Sequence, residues 1–152
     1  MSEIEQKLKE LGLSLQDAQK PIAKYVPVKI INKTIYVSGQ LPMQDGKVKV
    51  CGLVGMEVSI EEAKLAAKIC ILNALSQIKL AIGNLDKLQG CSKLGIYVNT
   101  SADFQEHPEI GNGASELLYQ ILPNGEHTRT TIGVSSLPKK ASVEIDAIFE
   151  LL

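Results

Sequence analysis

The sequence is poor in aromatic residues, with no tryptophan, four tyrosines and two phenylalanines among 152 residues. It therefore offers little material for a platform on which nucleic-acid bases could stack. Sixteen basic and seventeen acidic residues give a net charge of −1, and Lys139–Lys140 is the only adjacent basic pair. A protein that binds nucleic acid through a basic face needs clustered cations, so nucleic acid is not an expected partner.

Cysteines are also few. Cys51, Cys70 and Cys91 are an odd number and lack C-x-x-C spacing, which favours a reducing, cytoplasmic setting over a disulfide framework. The charged N-terminus has no apolar signal-peptide core, and no apolar run reaches the roughly 18–20 residues of a membrane helix. We therefore expect a cytoplasmic location and no membrane partner.

The common ligand motifs are missing as well. Neither G-x-x-x-x-G-K-[ST] nor G-x-G-x-x-G occurs, so the usual signal for nucleotide phosphates is absent. His107 and His127 lack the spacing of metal ligands, and we predict no metal site. Gly111-Asn112-Gly113 is expected to open a helix, either as an anion-binding N-terminus or simply as a flexible helix start.

The chain does contain segments of clear periodicity, and its length fits one domain, 1–152, in which 1–21 form an N-terminal helical extension. Capping boxes at Ser2-Glu3-Ile4-Glu5 and Ser59-Ile60-Glu61-Glu62 predict helices. The predicted helices are 3–11, 60–82 and 109–122, and the predicted strands are 25–31, 34–38, 47–51, 88–98, 128–134 and 142–151. The main order, β-β-α-β-α-β-β plus the N-terminal helix, predicts an α+β sandwich: one sheet with two main helices on one face.

Two residues are candidates for chemistry. Arg129 is the only arginine, since the other fifteen basic residues are lysines. Its planar fork can bind a carboxylate in bidentate fashion, although a surface cation or an intersubunit salt bridge is the alternative. Glu144 lies between apolar residues of the last strand and could serve as a general acid or base. Glu144 could equally be a solvent-facing residue that alternates with Asp146. Cys70, by contrast with both candidates, lies on an apolar helix stripe and is expected in the core.

Three further segments carry a family resemblance. They are Tyr25 with Tyr36-Val37-Ser38-Gly39-Gln40-Leu41-Pro42, then Thr128-Arg129-Thr130-Thr131-Ile132-Gly133-Val134, and then Leu137-Pro138-x-x-Ala141-x-Val143-Glu144-Ile145-Asp146-Ala147. In this order and spacing the chain resembles the YjgF/RidA family, also called endoribonuclease L-PSP, over roughly residues 22–152. The resemblance implies a chorismate-mutase-like fold and a homotrimer with a ligand cleft at each subunit interface.

The resemblance also implies residue roles. Arg129 would clamp a substrate carboxylate and Glu144 would orient or activate water, while Tyr25, Ser38, Asn112 and Thr131 would line the cleft. The implied reaction is hydrolysis of enamines or 2-imino acids to 2-keto acids and ammonia, which needs placement of one water and no cofactor. Thr131 stands where a cysteine is common in the family, and the longer segments 43–58 and 99–108 are typical of a longer branch.

Three functions are therefore weighed. The first is an enamine/imine deaminase, the second is a non-catalytic trimer that binds a small carboxylate metabolite, and the third is the ribonuclease or translation inhibitor of the family name. The first two require Arg129 and Glu144 to converge on one intersubunit pocket, whereas the near-neutral charge argues against the third.

Overall fold

The computed structural model describes residues 1–21 and 23–152. Its helices are α1 (Glu3–Glu10), α2 (Ile60–Ile82) and α3 (His107–Ile121), with single 3-10 turns at Leu85–Lys87 and Pro138–Lys140. The strands are β1 (Val28–Ile31), β2 (Thr34–Gln40), β3 (Met43–Gln44), β4 (Lys47–Val48), β5 (Leu88–Asn99), β6 (Thr128–Val134) and β7 (Val143–Leu151).

Five strands form the main sheet in the order β1-β2-β7-β5-β6, while β3 and β4 pair as a separate small hairpin. All neighbours in the main sheet are antiparallel except β5 and β6, which run parallel. Helices α2 and α3 cross the same face of this sheet. The predicted α+β architecture and element order are confirmed, with β1 and β6 as the two edge strands.

The helix starts follow the predicted capping chemistry. Ser2 and Ser59 each accept a hydrogen bond from the backbone N–H three residues on, and Glu5 and Glu62 complete both capping boxes. Helix α2 ends at Gly83, whose φ of 84° lies in the left-handed region that glycine adopts without strain. Local sequence alone therefore sets the limits of α2.

Helix α3 differs from its prediction. It begins at His107, with Pro108 in its first turn, so Gly111-Asn112-Gly113 lies inside the helix and both expectations of a helix start there were wrong. The two glycines instead allow close packing. A Cβ at Gly113 would meet the backbone of Lys64 in α2, 2.8 Å from its Cα, and one at Gly111 would meet Arg129.

The core lies between the sheet and the two long helices. Alternate residues of β7 and β5 face it, and Cys70 is fully buried there as predicted. Helix α2 is long and apolar enough to cross a membrane by length and composition alone, with a mean hydropathy of 1.5 over its best window. The sequence analysis expected no segment of this length and hydropathy, and that expectation was wrong. Inside the fold, 61% of the most apolar stretch of α2 is buried.

Candidate functional site

Strand β6 divides the candidate residues between two faces of the sheet. Arg129 and Thr131 pair with Leu94 and Ile96 of β5, which are both buried toward the helices. Thr130 and Ile132, in the alternate positions, line the opposite, open face. The strand period thus puts the arginine and Thr131 together against α3.

Helix α3 holds the Arg129 guanidinium in place. Its Nη1 donates to Ser115 Oγ at 2.9 Å and its Nη2 donates to the Pro108 carbonyl oxygen at 3.1 Å. A Cβ at Gly111 would lie 2.9 Å from Nη1, so only glycine leaves room for the guanidinium over the helix. An arginine has five N–H donors, and three of them have no protein acceptor in the part of the chain that the structure describes. These three remain available for an anionic ligand.

Thr131 and Asn112 flank this arginine cluster. The Thr131 hydroxyl is buried and makes no hydrogen bond within the described residues, which leaves both its donor and acceptor capacity unused. Asn112 lies one helical turn from Pro108 and from Ser115, on the side of α3 that faces β6. Arg129, Thr131 and Asn112 therefore form one group, which we call the arginine group.

The other predicted residues lie on the open face of the sheet. Tyr25, Ser38 and Glu144 line a concavity of about 1310 Å³ there, and we call them the glutamate group. The Ser38 hydroxyl donates to the Val26 carbonyl oxygen at 2.7 Å, which ties the segment that carries Tyr25 to β2. The Glu144 carboxylate lies over Gly39, where any Cβ would collide with Oε1. Gly39 of β2 thus leaves space for the Glu144 side chain.

The surroundings of Glu144 on the open face disfavour its charged form relative to a carboxylate in water. Burial, and secondly the nearby charge of Asp146, raise the pKa of the half-buried Glu144 carboxyl. The Tyr97 hydroxyl donates to Asp146 Oδ2 at 3.1 Å. Burial and then the Asp146 charge raise the pKa of Tyr97. A carboxyl whose pKa moves toward neutrality is better suited to exchange protons with a substrate.

Within one chain the two groups do not converge. Arg129 points toward the helix layer from β6, whereas Glu144 points toward the open face from β7, so the sheet separates them. A site that contains both side chains requires residues from two copies of the chain.

Sequence reasoning missed the residues that support the two candidates. Ser115 and Pro108 are seven positions apart in α3, a spacing of two helical turns that places both on one side of the helix, and His127 precedes Arg129 by the strand period of two. The i and i+7 spacing was a usable signal, but only once α3 was known to begin at His107. The sequence analysis used Asp146 only as a sign that Glu144 faces solvent, and it missed the effect of the Asp146 charge on Glu144.

Comparison with known proteins identifies relatives over nearly the whole chain. Residues 5–150 match a family described as "YjgF/chorismate_mutase-like, putative endoribonuclease". The crystal structure of Atu1372 from Agrobacterium tumefaciens, a protein described as of unknown function, is 46% identical. Its TM-score is 0.92, with coverage of 98% of this chain and 92% of that one.

Two further proteins are similar in sequence. Protein TCP17 of Trypanosoma cruzi is 37% identical over 95% of this chain and 91% of its own length. A protein of Dermatophagoides farinae named 2-iminobutanoate/2-iminopropanoate deaminase is 27% identical over 86% of this chain and 88% of its own length. The family match over residues 5–150 covers both the arginine and the glutamate segments.

Proposed function

Since the chain belongs to the YjgF/chorismate mutase-like family, we propose that it hydrolyses 2-imino acids to 2-keto acids and ammonia. The observation that carries this proposal is the Arg129 guanidinium. Helix α3 holds it through two of its N–H groups, while the other three have no acceptor among residues 1–21 and 23–152. A fixed guanidinium with free N–H groups matches the planar carboxylate of a 2-imino acid. The similarity to the deaminase of Dermatophagoides farinae supports the same substrate class.

We propose that the working form is a homotrimer in which β6 of one copy lies beside the open face of the next. The open face supports this arrangement because it exposes large apolar side chains: Ile31, Tyr36 and Ile132 are 48%, 44% and 45% exposed. These side chains lie toward the two opposite edges of the sheet, and a head-to-tail contact that joins such edges closes into a ring when its rotation allows. The arginine group of one copy would then meet the glutamate group of its neighbour.

The proposed chemistry needs only these two groups. The substrate carboxylate binds Arg129, and Glu144 from the adjacent copy orients a water molecule and takes its proton as the oxygen attacks the imine carbon. Glu144 passes that proton to the imine nitrogen, which gives the carbinolamine. Glu144 then takes the hydroxyl proton of the carbinolamine and delivers it to the nitrogen, and the C–N bond breaks to release ammonia and the 2-keto acid. Water supplies the oxygen of the product, so the reaction balances without a redox partner or cofactor. We also propose a cytoplasmic location, since all three cysteines are free thiols.

The test generates 2-iminobutanoate from threonine with a threonine dehydratase and follows its decay with and without purified protein. We expect acceleration by the wild type and loss of at least tenfold in Arg129→Ala and Glu144→Gln. Glu150→Gln is the matched control, because Glu150 lies on the same strand and face as Glu144 but bonds only to Ser92 Oγ at 2.9 Å. Decay at the buffer rate, or equal acceleration by Arg129→Ala, would refute the proposal.

A second candidate function is binding of a small carboxylate without turnover. It is favoured by the observation that one chain holds the whole arginine group but cannot bring Glu144 to it. This function predicts that 2-oxobutanoate raises the melting temperature of the wild type but not of Arg129→Ala, while 2-iminobutanoate decays at the buffer rate. For the ribonuclease activity of the family description, the scattered lysines lead us to expect no RNA cleavage.

A further inference from the structure

A chain of hydrogen bonds extends behind Arg129, away from its free N–H groups. Arg129 Nη1 lies 2.9 Å from Ser115 Oγ, and Ser115 Oγ lies 2.8 Å from His127 Nε2. On the far side of the ring, His127 Nδ1 lies 2.7 Å from the Gly125 carbonyl oxygen. Ser115 is only 8% exposed, and the proposed reaction assigns no role to it or to His127.

The partners at the two ends determine the direction of every bond in this chain. A carbonyl oxygen can only accept, so His127 Nδ1 carries the ring proton of the neutral imidazole, and Nε2 is left as an acceptor. A guanidinium can only donate, so Ser115 Oγ accepts from Arg129. The Ser115 hydroxyl proton therefore goes to His127 Nε2.

Another serine in the same fold shows what Ser115 would do without the histidine. Ser76 in α2 donates its hydroxyl to the Leu72 carbonyl oxygen four residues earlier, at 3.1 Å, which is the usual local bond of a helical serine. That bond would turn the Ser115 proton back along α3 and away from β6. The acceptor on His127 instead draws the proton to one side and leaves the oxygen lone pairs facing the guanidinium.

We propose that His127 and Ser115 are positioning residues for the carboxylate clamp of Arg129. His127 fixes the Ser115 hydroxyl, the hydroxyl fixes Nη1, and the Pro108 carbonyl oxygen fixes Nη2, so the plane of the guanidinium is set before a ligand arrives. Groups that orient a binding residue in advance reduce the ordering cost of binding. The proposal rests on the proposed function in one respect, which is that Arg129 binds a carboxylate.

Two substitutions of His127 separate the two ring nitrogens. In His127→Gln the side-chain oxygen reaches the place of Nε2 and can still accept from Ser115. In His127→Asn the amide nitrogen takes the place of Nδ1 and can still donate to Gly125, but nothing accepts from Ser115. Ser115→Ala removes the link to Arg129 altogether. If His127 and Ser115 only stabilise the fold, all three variants should lose similar amounts of melting temperature and keep the ligand affinity of the wild type.

The first measurement uses the guanidinium ¹⁵N and proton NMR signals, which are assigned without ambiguity because Arg129 is the only arginine. We expect slow rotation about the Cζ–Nη1 bond in the wild type and in His127→Gln, and fast rotation in His127→Asn and Ser115→Ala. The second measurement is the dissociation constant for 2-oxobutanoate. It should rise about tenfold in Ser115→Ala, which loses one hydrogen bond to a charged group. It should rise similarly in His127→Asn, where the released Ser115 hydroxyl turns away from Nη1, and stay within about twofold in His127→Gln.

The outcomes distinguish this inference from the proposed function. If the wild type binds no 2-oxobutanoate but the rotation responds as expected, the carboxylate function fails while the positioning role stands. If rotation is unchanged in Ser115→Ala and His127→Asn, or if His127→Gln behaves like His127→Asn, the positioning role is overturned. Imidazole ¹⁵N shifts of the wild type that place the proton on Nε2 would also overturn it, without any variant.

Discussion

Two glycines in one helix should respond in opposite ways to the same substitution. Gly111 and Gly113 both lie inside α3, where Gly→Ala by itself stabilises a helix by about 0.8–1.0 kcal/mol. Their surroundings differ, because a Cβ at Gly111 meets a side chain and a Cβ at Gly113 meets backbone. Helix propensity thus cancels in the comparison, and the tertiary neighbours decide the outcome.

At Gly111 the new methyl group would lie 2.8 Å from Thr131 Oγ1, 2.9 Å from Arg129 Nη1 and 3.0 Å from Arg129 Cζ, which are all side-chain atoms. The guanidinium must move, and it loses its bond to Ser115, but it is partly exposed and can be hydrated instead. The loss of that hydrogen bond should then cost roughly 1 kcal/mol, below the usual range of about 1.5–3 kcal/mol for a charged group, because water replaces the serine. We expect the free energy of unfolding of Gly111→Ala to stay within about 0.5 kcal/mol of the wild type.

At Gly113 the methyl group would lie 2.8 Å from Lys64 Cα and 2.9 Å from Lys64 C, with the Lys64 carbonyl oxygen closer still. Backbone cannot rotate out of the way, so α2 and α3 must separate. Overpacking of this kind costs about 1–3 kcal/mol, and after the helix-propensity gain a net destabilisation of up to about 2 kcal/mol remains. Gly113→Ala should lower the urea midpoint clearly.

Ligand binding should show the reverse order. Gly111→Ala displaces the clamp, so the dissociation constant for 2-oxobutanoate should rise at least tenfold, whereas folded Gly113→Ala keeps the clamp and should bind within about threefold of the wild type. Urea unfolding and isothermal titration calorimetry check the two halves. The reasoning is refuted if Gly111→Ala binds as tightly as the wild type, or if the two variants are equally stable.

The remaining predictions concern charge. Arg129→Lys keeps the cation but not the planar fork, and calorimetry should show an affinity for 2-oxobutanoate that is weaker by tenfold or more. An unchanged affinity would mean that only the charge of Arg129 contributes to binding. Burial and Asp146 raise the pKa of Glu144 above its ordinary 4.5, so its contribution to stability is lost as pH rises through the folded-state value. The free energy of unfolding of Glu144→Gln relative to the wild type should therefore increase from about pH 4 to 7, and a flat difference contradicts the raised pKa. The hydrogen bond from Lys79 lowers the pKa of Glu5 to about 2. The ionised Glu5 carboxylate therefore stabilises the fold above about pH 4.5, and this stabilisation is lost toward pH 2. Glu5→Gln should lower the free energy of unfolding by less than about 1 kcal/mol near neutral pH, with no difference near pH 2, as chemical denaturation at both pH values would show.

Much of the fold was predictable because its signals are local. A capping box needs only a serine and a glutamate three residues later, and the alternation Val143, Ile145, Ala147 and Phe149 identifies the buried face of β7. Both signals were read correctly, and α2 has the predicted bounds.

The start of α3 was not predictable in the same way. Its N-cap residue Glu106 makes no side-chain capping bond, and Pro108 in the first turn is the one local signal for the start of the helix. The internal glycines suggested a helix start, because their real purpose, close contact with Lys64 and Arg129, depends on residues far away in the chain.

The sequence by itself determined the element order, the family and the two candidates Arg129 and Glu144, because periodicity, capping and motif spacing are written along the chain. Only the tertiary structure decided that the sheet separates these two side chains, since strand parity and pairing assign each residue to a face. It also decided what holds the arginine. Ser115, Pro108 and His127 reach Arg129 because α3 packs across β6, and no local pattern records that contact.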